Sequence, residues 1–373
     1  MRTLVLGGYG NFGTRICRAL AGDAAIELLI GGRDVRRANG LAASLGRDTE
    51  AARIDLAAPS FAQALRRHGV ELVIHTAGPF QQQDYRAAEA AAAAGAHYID
   101  LADGRRFVCD FPNAMDAAFR AAGRTAISGA STVPALSSAV VDALCAGWQR
   151  IDTIDICIAP AQTAPRGEAT LAGVSSYCGE PIAVWDDGRW QTRRGWAEPT
   201  PVHFARLAPR LGALCDIPDL ELFPARYAVK QRVMFRAALE VRVAQRAFAL
   251  LASLRASGLL PRPARLARMM NRGAKLFDGF GSALGGMVLR VSGVDVAGQP
   301  TRHAWHIAAD NDHGPEIPCM AAVLLARRFA RGHDMRLGAH VAMGWLTLAD
   351  FAPEFARWGM VTDRIDETAE YAA

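Results

Sequence analysis

Through the first 130 residues, short apolar runs alternate with stretches whose apolar residues fall three or four apart. The runs are TLVLG (3–7), IELLI (26–30), ARID (52–55), ELVIHTAG (71–78), HYIDL (97–101) and TAISGA (125–130). Between them lie FGTRICRALAG, RRANGLAASLG, SFAQALRRHG, DYRAAEAAAAAG and FPNAMDAAFRAAG, most of them ending in Gly, the common helix stop. Six such strand-helix alternations predict an α/β unit, a parallel sheet with helices on both faces.

From about residue 150 the pattern changes. IDTIDICIAP and GMVLRVSGVDVAGQPTRHAWHIAAD predict strands, the second a hairpin turning at AGQP. Trp- and Pro-bearing loops separate them, followed by helices expected from about 230 to 280. AAVLLARRFARG and ADFAPEFARWG predict two C-terminal helices, and DETAEYAA a frayed end. The expected organisation is a first domain over 1–148, an α+β substrate domain over 149–315, and C-terminal helices over 316–373 packing back on the first domain.

The first strand runs into GGYGNFG, where Gly8, Gly10 and Gly13 form G-x-G-x-x-G between a strand and a helix. The first glycine permits the tight turn, the second lets a pyrophosphate reach the backbone, and the third lets helix and strand pack closely. The helix N-terminus, with Asn11 and Phe12 in its first turn, offers N–H groups and a positive dipole end to phosphates. In a six-fold alternation this context predicts a Rossmann-type, doubly wound dinucleotide-binding domain. An NAD site usually ends the second strand with an acid for the ribose 2′-hydroxyl. This chain has Gly32 and Arg33 there, which suits a 2′-phosphate and predicts NADP. The competing assignment leaves Arg33 in solvent and gives the ribose to Asp34. Asp55, ending the third strand, is expected either to contact the adenine side or to cap the next helix. Ala77, Gly78 and Pro79, after the fourth strand, are small residues that leave room for a nicotinamide ring.

GGYGNFG, HTAGPF, AAEAAAAAGAHYIDLADGRRF and SGASTVPALSSAVVDAL together resemble the saccharopine dehydrogenase-like family, that is, saccharopine reductase and its relatives. FGSALGGMVLRVSGVDVAGQP and GPEIPCMAAVLLARRF resemble the second domain of its bacterial members. The resemblance implies an NADP-type nucleotide domain, a substrate domain, and reduction of an imine or related acceptor, without fixing the substrate. The chain departs from a lysine-based mechanism: its only lysines, Lys230 and Lys275, both lie in one basic segment.

Ligands of open α/β sheets bind beyond the carboxyl ends of the strands. That edge offers His75, Thr76, Asp100, Asp103, Arg105, Arg106, Ser128 and Ser131. Asp103, just past the fifth strand, is the first candidate for the catalytic proton; before Gly104 it is also a natural turn former. Arg105 and Arg106 suit a carboxylate or phosphate, or remain solvated. His97 and Tyr98 are expected to pack. His303 and His306, three apart on a strand, must point to opposite faces. Glu168, Tyr177 and Glu180 are further polar residues without a motif.

Seven scattered cysteines without a CxxC pair, and histidines without metal-ligand spacing, argue against a disulfide framework or a metal enzyme and for a reducing cytoplasm. The N-terminus lacks a signal-peptide pattern, and no apolar run is long enough to span a bilayer. Between Arg226 and Lys275 stand twelve Lys and Arg against Glu240 alone, so this segment carries +11 in a chain of net charge +5. Arg265, Arg268, Arg272 and Lys275 share a helical stripe, and Leu239, Val243, Ala247, Leu250 and Leu254 share an apolar one. A helix pair packed on its own domain accounts for this; an anionic lipid surface or an acyl or phosphorylated substrate is the alternative. Nucleic acid is not expected, since no aromatic-basic motif accompanies the charge.

The resulting expectation is an NADP(H)-dependent oxidoreductase, a cytoplasmic homodimer, with a small or acyl substrate entering between the domains. The alternative is a non-catalytic cofactor-binding or membrane-peripheral protein that retains the fold.

Overall fold

In the computed structural model the residues described are all except 47–48, 82, 166–175, 259–278, 280, 334 and 372–373. Two compact units emerge: Met1–Leu136 with Glu316–Leu346, and Ser137–Pro315 with Thr347–Ala373.

In the first unit the six expected strands are present, numbered here in chain order: β1 (Arg2–Leu6), β2 (Glu27–Gly32), β3 (Thr49–Arg53), β4 (Leu72–His75), β5 (His97–Asp100) and β6 (Thr125–Ser128). A seventh, β15 (Gly338–Val341), joins them in the order β15-β6-β5-β4-β1-β2-β3. Every pairing is parallel. The order reverses beside β1, which places the crevice used by doubly wound folds at the carboxyl ends of β1 and β4. Leu4, Val5, Ile30, Val73, Ile74 and Ile99 are fully or almost fully buried, as expected of strands covered on both faces. The helices α1 (Asn11–Leu20), α2 (Val35–Leu45), α3 (Phe61–Arg67), α4 (Arg86–Ala94) and α5 (Arg105–Ala121) connect them. The helix Ile317–Ala330 packs on α1. Arg15 pairs with Glu316 at 2.9 Å, and Asp23 pairs with Arg331 at 3.1 Å, at opposite ends of this contact.

The second unit holds a nine-stranded mixed sheet. Its main path is β10-β11-β12-β7-β13-β14-β16, and β8 pairs with β12 and β9. The strands are β7 (Arg150–Ala159), β8 (Pro181–Asp186), β9 (Arg189–Arg194), β10 (Thr200–Val202), β11 (Arg210–Leu214), β12 (Arg232–Ala238), β13 (Gly285–Val294), β14 (Pro300–Ala309) and β16 (Val361–Asp366). The hairpin of β13 and β14 turns where expected. Elsewhere the expectation is corrected. Residues 181–214, expected as loops, contain the four strands β8 to β11. Residues 232–238, expected as helix, form β12, whose buried Val233 and Phe235 alternate with Arg232, Met234 and Arg236. The basic stretch is helical at Arg242–Ala256, while Arg265, Arg268, Arg272 and Lys275 lie outside the described residues.

The C-terminal region does not return as a block to the first unit. Glu316–Leu346 belongs there, but Thr347–Ala373 belongs to the second. Residues 361–366 pair as β16 along β14, and of the end expected to fray, 366–373, Asp366 closes that strand and Thr368–Tyr371 forms a short helix. The helix Leu348–Arg357 starts at a capping box, in which Thr347 and Asp350 satisfy each other's backbone N–H groups. Its Phe355 meets Trp305 of β14 at 6.1 Å between ring centroids, with Phe351 stacked behind. Phe351 is fully buried. Phe351→Ala is therefore expected to cost about 3–5 kcal/mol, measured by urea denaturation; a cost under about 1 kcal/mol, the range of surface substitutions, would show that this helix is not part of the core.

Candidate nucleotide-binding site

The turn from β1 to α1 is built from close approaches. Gly7 sits at φ +83°, where an L side chain is strained, and a Cβ there would meet Thr76 Oγ1 at 3.0 Å. A Cβ on Gly13 would lie 2.2 Å from the Gly7 carbonyl oxygen, an approach no side chain permits. The positive-φ position is thus Gly7, one residue before the first glycine of the sequence motif, whereas Gly8 is confined by Ile30 and the Val5 carbonyl. Gly10 is the N-cap of α1 and makes no side-chain cap bond. The helix therefore starts directly above the strand end, with its dipole directed at the crevice. Asn11 Oδ1 accepts from Arg15 at 2.6 Å, and Phe12 is half-buried. A bare backbone cradle of this kind fits a pyrophosphate.

At the end of β2, Arg33 is exposed. Asp34 is the N-cap of α2, its Oδ1 accepting the backbone N–H groups of Arg36 and Arg37 at 3.0 and 3.2 Å. A neighbour that the sequence motif left as a variable position completes this corner. The Tyr9 ring lies over Gly32, where a Cβ would come within 2.3 Å of it. Its hydroxyl accepts the Asp34 N–H at 2.9 Å, and the Arg37 guanidinium sits 4.7 Å from the ring centroid. Arg37 also donates to the Tyr9 carbonyl at 3.3 Å. Tyr9 and Arg37 were missed from sequence; an aromatic within the glycine turn, facing a glycine at the end of β2, was the available signal. Asp55 caps a turn rather than α3, accepting the Ala57 N–H at 3.0 Å; the N-cap of α3 is Ser60.

Thr76 ties the end of β4 to the glycine turn, its hydroxyl donating to Leu6 and Gly7 carbonyls at 3.0 and 3.2 Å. Ala77, Gly78 and Pro79 follow in a loop that Gln83 holds by donating to the Ala77 and Pro79 carbonyls. Asp103 shares this rim, accepting from Gln81 at 3.1 Å. Its carboxylate reaches solvent, yet crowding by the surrounding chain raises its pKa above the ordinary value. Arg106 pairs with Asp110 along α5 at 3.1 Å, the solvated alternative, while Arg105 is buried. Tyr177 and Glu180 lie in the second unit, Glu180 paired with Arg255; Glu168 is outside the described residues.

Beneath the rim lies a buried polar relay. Asp100 Oδ1 accepts from Ala102 N–H, Ser128 hydroxyl and Gly129 N–H at 3.0, 3.0 and 2.8 Å, binding the turns after β5 and β6 together. His75 Nδ1 is 3.0 Å from the Tyr98 hydroxyl. His97 accepts the Thr125 N–H at 3.1 Å and packs on Phe329, the expected structural role. Burial pushes Asp100 up to about 6, against its hydrogen-bond donors, and holds His75 down to about 4.

A strand-turn-helix cradle on a doubly wound parallel sheet is the architecture of dinucleotide-binding domains, and the chain also has a second, mixed-sheet unit. Residues 3–127 match the family description "Saccharopine dehydrogenase NADP binding domain". Over the matched residues the first unit is thus similar to that family's NADP-binding domain. Saccharopine dehydrogenase (L-Glu forming) from Saccharomyces cerevisiae superposes with a TM-score of 0.72 at 12% identity, covering 98% of this chain and 99% of that one. Homospermidine synthase from Legionella pneumophila, in complex with NAD, superposes with a TM-score of 0.63 at 10% identity, covering 98% and 91%. No curated protein matches the chain.

The two buried groups give opposite pH dependences. Asp100, with its folded pKa raised, contributes stability that is full below about 4 and lost as pH rises through about 6. His75, with its folded pKa depressed, contributes stability that is present above 6.5 and lost as pH falls through about 4. Asp100→Asn keeps an acceptor and removes the first contribution. On acidification from pH 6.5 to 4 it should lose stability more steeply than the parent in urea titrations; parallel slopes would contradict this.

Proposed function

We propose that the chain is an NADP(H)-dependent oxidoreductase of the saccharopine dehydrogenase-like type, acting on a C=N, C=O or activated C=C bond of a small or acyl-bearing substrate. One observation carries the reading. At the end of β2, where an NAD-selective acid would stand, Arg33 is exposed and Arg37 is fixed on Tyr9, while the Asp34 carboxylate is engaged in capping α2. Two guanidiniums in that corner favour a 2′-phosphate and disfavour nothing about the adenosine itself.

Gly8, Gly10, Asn11, Phe12 and Gly13 would hold the pyrophosphate through backbone and helix dipole, and Arg33 with Arg37 the 2′-phosphate. When bound, NADP(H) supplies or accepts the hydride equivalent. Asp55 would approach the adenosine. Ala77, Gly78 and Pro79 leave space at the nicotinamide end without side chains that would fill it. Asp103 would move the proton: its raised pKa keeps it protonated to higher pH than an ordinary carboxylate, the direction a donor needs. Gln81, donating to one carboxylate oxygen, orients it.

A second reading, a membrane-peripheral protein without catalysis, draws on one observation. Val243 and Leu250 on the helix Arg242–Ala256 are 64% and 61% exposed, although the apolar stripe they share was expected to pack inward. Among the described residues no helix is long and apolar enough to cross a membrane.

Fluorescence titration with NADPH and NADH decides between the two. The parent should prefer NADPH, and Arg33→Ala and Arg37→Ala should each weaken NADPH by roughly tenfold with NADH unchanged. Equal affinities would remove the selectivity assignment, and binding of neither nucleotide would overturn the enzymatic reading in favour of the peripheral one.

A further inference from the structure

The second unit contains a cavity of about 500 Å³. It lies on one face of the nine-stranded sheet, and strand alternation explains its chemistry. Ile154, Val233 and Leu289 take one face of β7, β12 and β13 and are buried. Asp155, Arg232, Arg236 and Arg290 take the other and line the cavity. The register sets Asp155 opposite Arg290 on one side and opposite Met234 on the other, with Arg232 and Arg236 two residues either way. Arg302 of β14 and Glu367, just past β16, complete the ring.

The ion pairs are shared. Asp155 lies 2.7 Å from Arg232 and 3.4 Å from Arg236, and Glu367 lies 3.0 Å from Arg290 and 3.1 Å from Arg302. Each carboxylate therefore serves two guanidiniums. Among the described lining residues the four arginines exceed the two acids by two charges.

Pairing alone would need one arginine per acid, and gathering further like charge into a recess where Arg290 is only 16% exposed is unfavourable by itself. A ligand with two or more negative charges removes that cost. Guanidinium forks match the oxygens of phosphate and carboxylate groups. The two shared acids hold the forks in place beforehand, so binding spends little on ordering them. The volume falls in the range of small-molecule sites.

We propose that this cavity binds a small multivalent anion through phosphate or carboxylate groups, in a different unit from the nucleotide cradle. Calorimetric titration of the full chain with inorganic pyrophosphate and with citrate, at constant ionic strength and with NADP⁺ in excess so that the nucleotide cradle is filled, tests it. At least one anion should bind, and which one binds separates phosphate from carboxylate chemistry. Arg236→Ala should weaken it roughly tenfold. Asp155→Asn, which raises the excess by one charge, should tighten it, an effect that mere loss of structure would not produce. Arg120→Ala, which removes an exposed ion pair of the first unit, should leave it unchanged. Three results would overturn the proposal: no heat from either anion at millimolar concentration, binding unchanged in Arg236→Ala, or a change of mass by light scattering in Arg236→Ala without any anion effect.

Discussion

The approach of α1 to the end of β1 governs the geometry of the first unit. With Gly13 a hydrogen's breadth from the Gly7 carbonyl, the helix begins above the strand instead of beside it. That position directs the helix dipole, uncompensated by an acidic first turn or a side-chain cap, into the crevice where the sheet order reverses. Thr76 then locks β4 to the same turn, so the loop bearing Ala77–Pro79 is placed relative to the cradle by two hydrogen bonds from one hydroxyl. Asp100 does the corresponding work for the turns after β5 and β6, at the cost of burying a carboxyl group.

Polar groups along this edge divide by burial. Those below the rim, His75, Tyr98, Asp100 and Ser128, are enclosed and bonded to one another or to backbone, and they give the loops fixed positions. Those at the rim, Arg33, Arg37 and Asp103, reach solvent and are positioned by a neighbour or by the turn they occupy. The second unit applies the same economy differently: one sheet face buries Ile154, Phe235 and Trp305, and the other gathers arginines around two shared acids.

The first unit was legible because its strands are covered on both faces and therefore appear as unbroken apolar runs closed by glycine. β15 leaves little trace in the sequence because Gly338–Val341 is four residues long and is recruited from far along the chain. The sequence of β12 fits helix as well as strand because Arg232, Val233, Phe235 and Arg236 satisfy a helical spacing as readily as an alternating one. β16, VTDRID, is mostly polar because it is an edge strand with most of its side chains in solvent. At the site, the glycines and Arg33 announced themselves through the known spacing, whereas Tyr9 and Arg37 act through a contact between α2 and a variable position of the turn. Pairings of that kind are set by three-dimensional proximity and leave no periodic trace.

The most direct test of the account is a crystal structure of the chain with NADP⁺. The pyrophosphate is expected over the backbone of residues 8–13 and the 2′-phosphate within hydrogen-bonding distance of Arg33 or Arg37. A pyrophosphate away from that turn, or a ribose directed to Asp34 with both arginines unengaged, would contradict it.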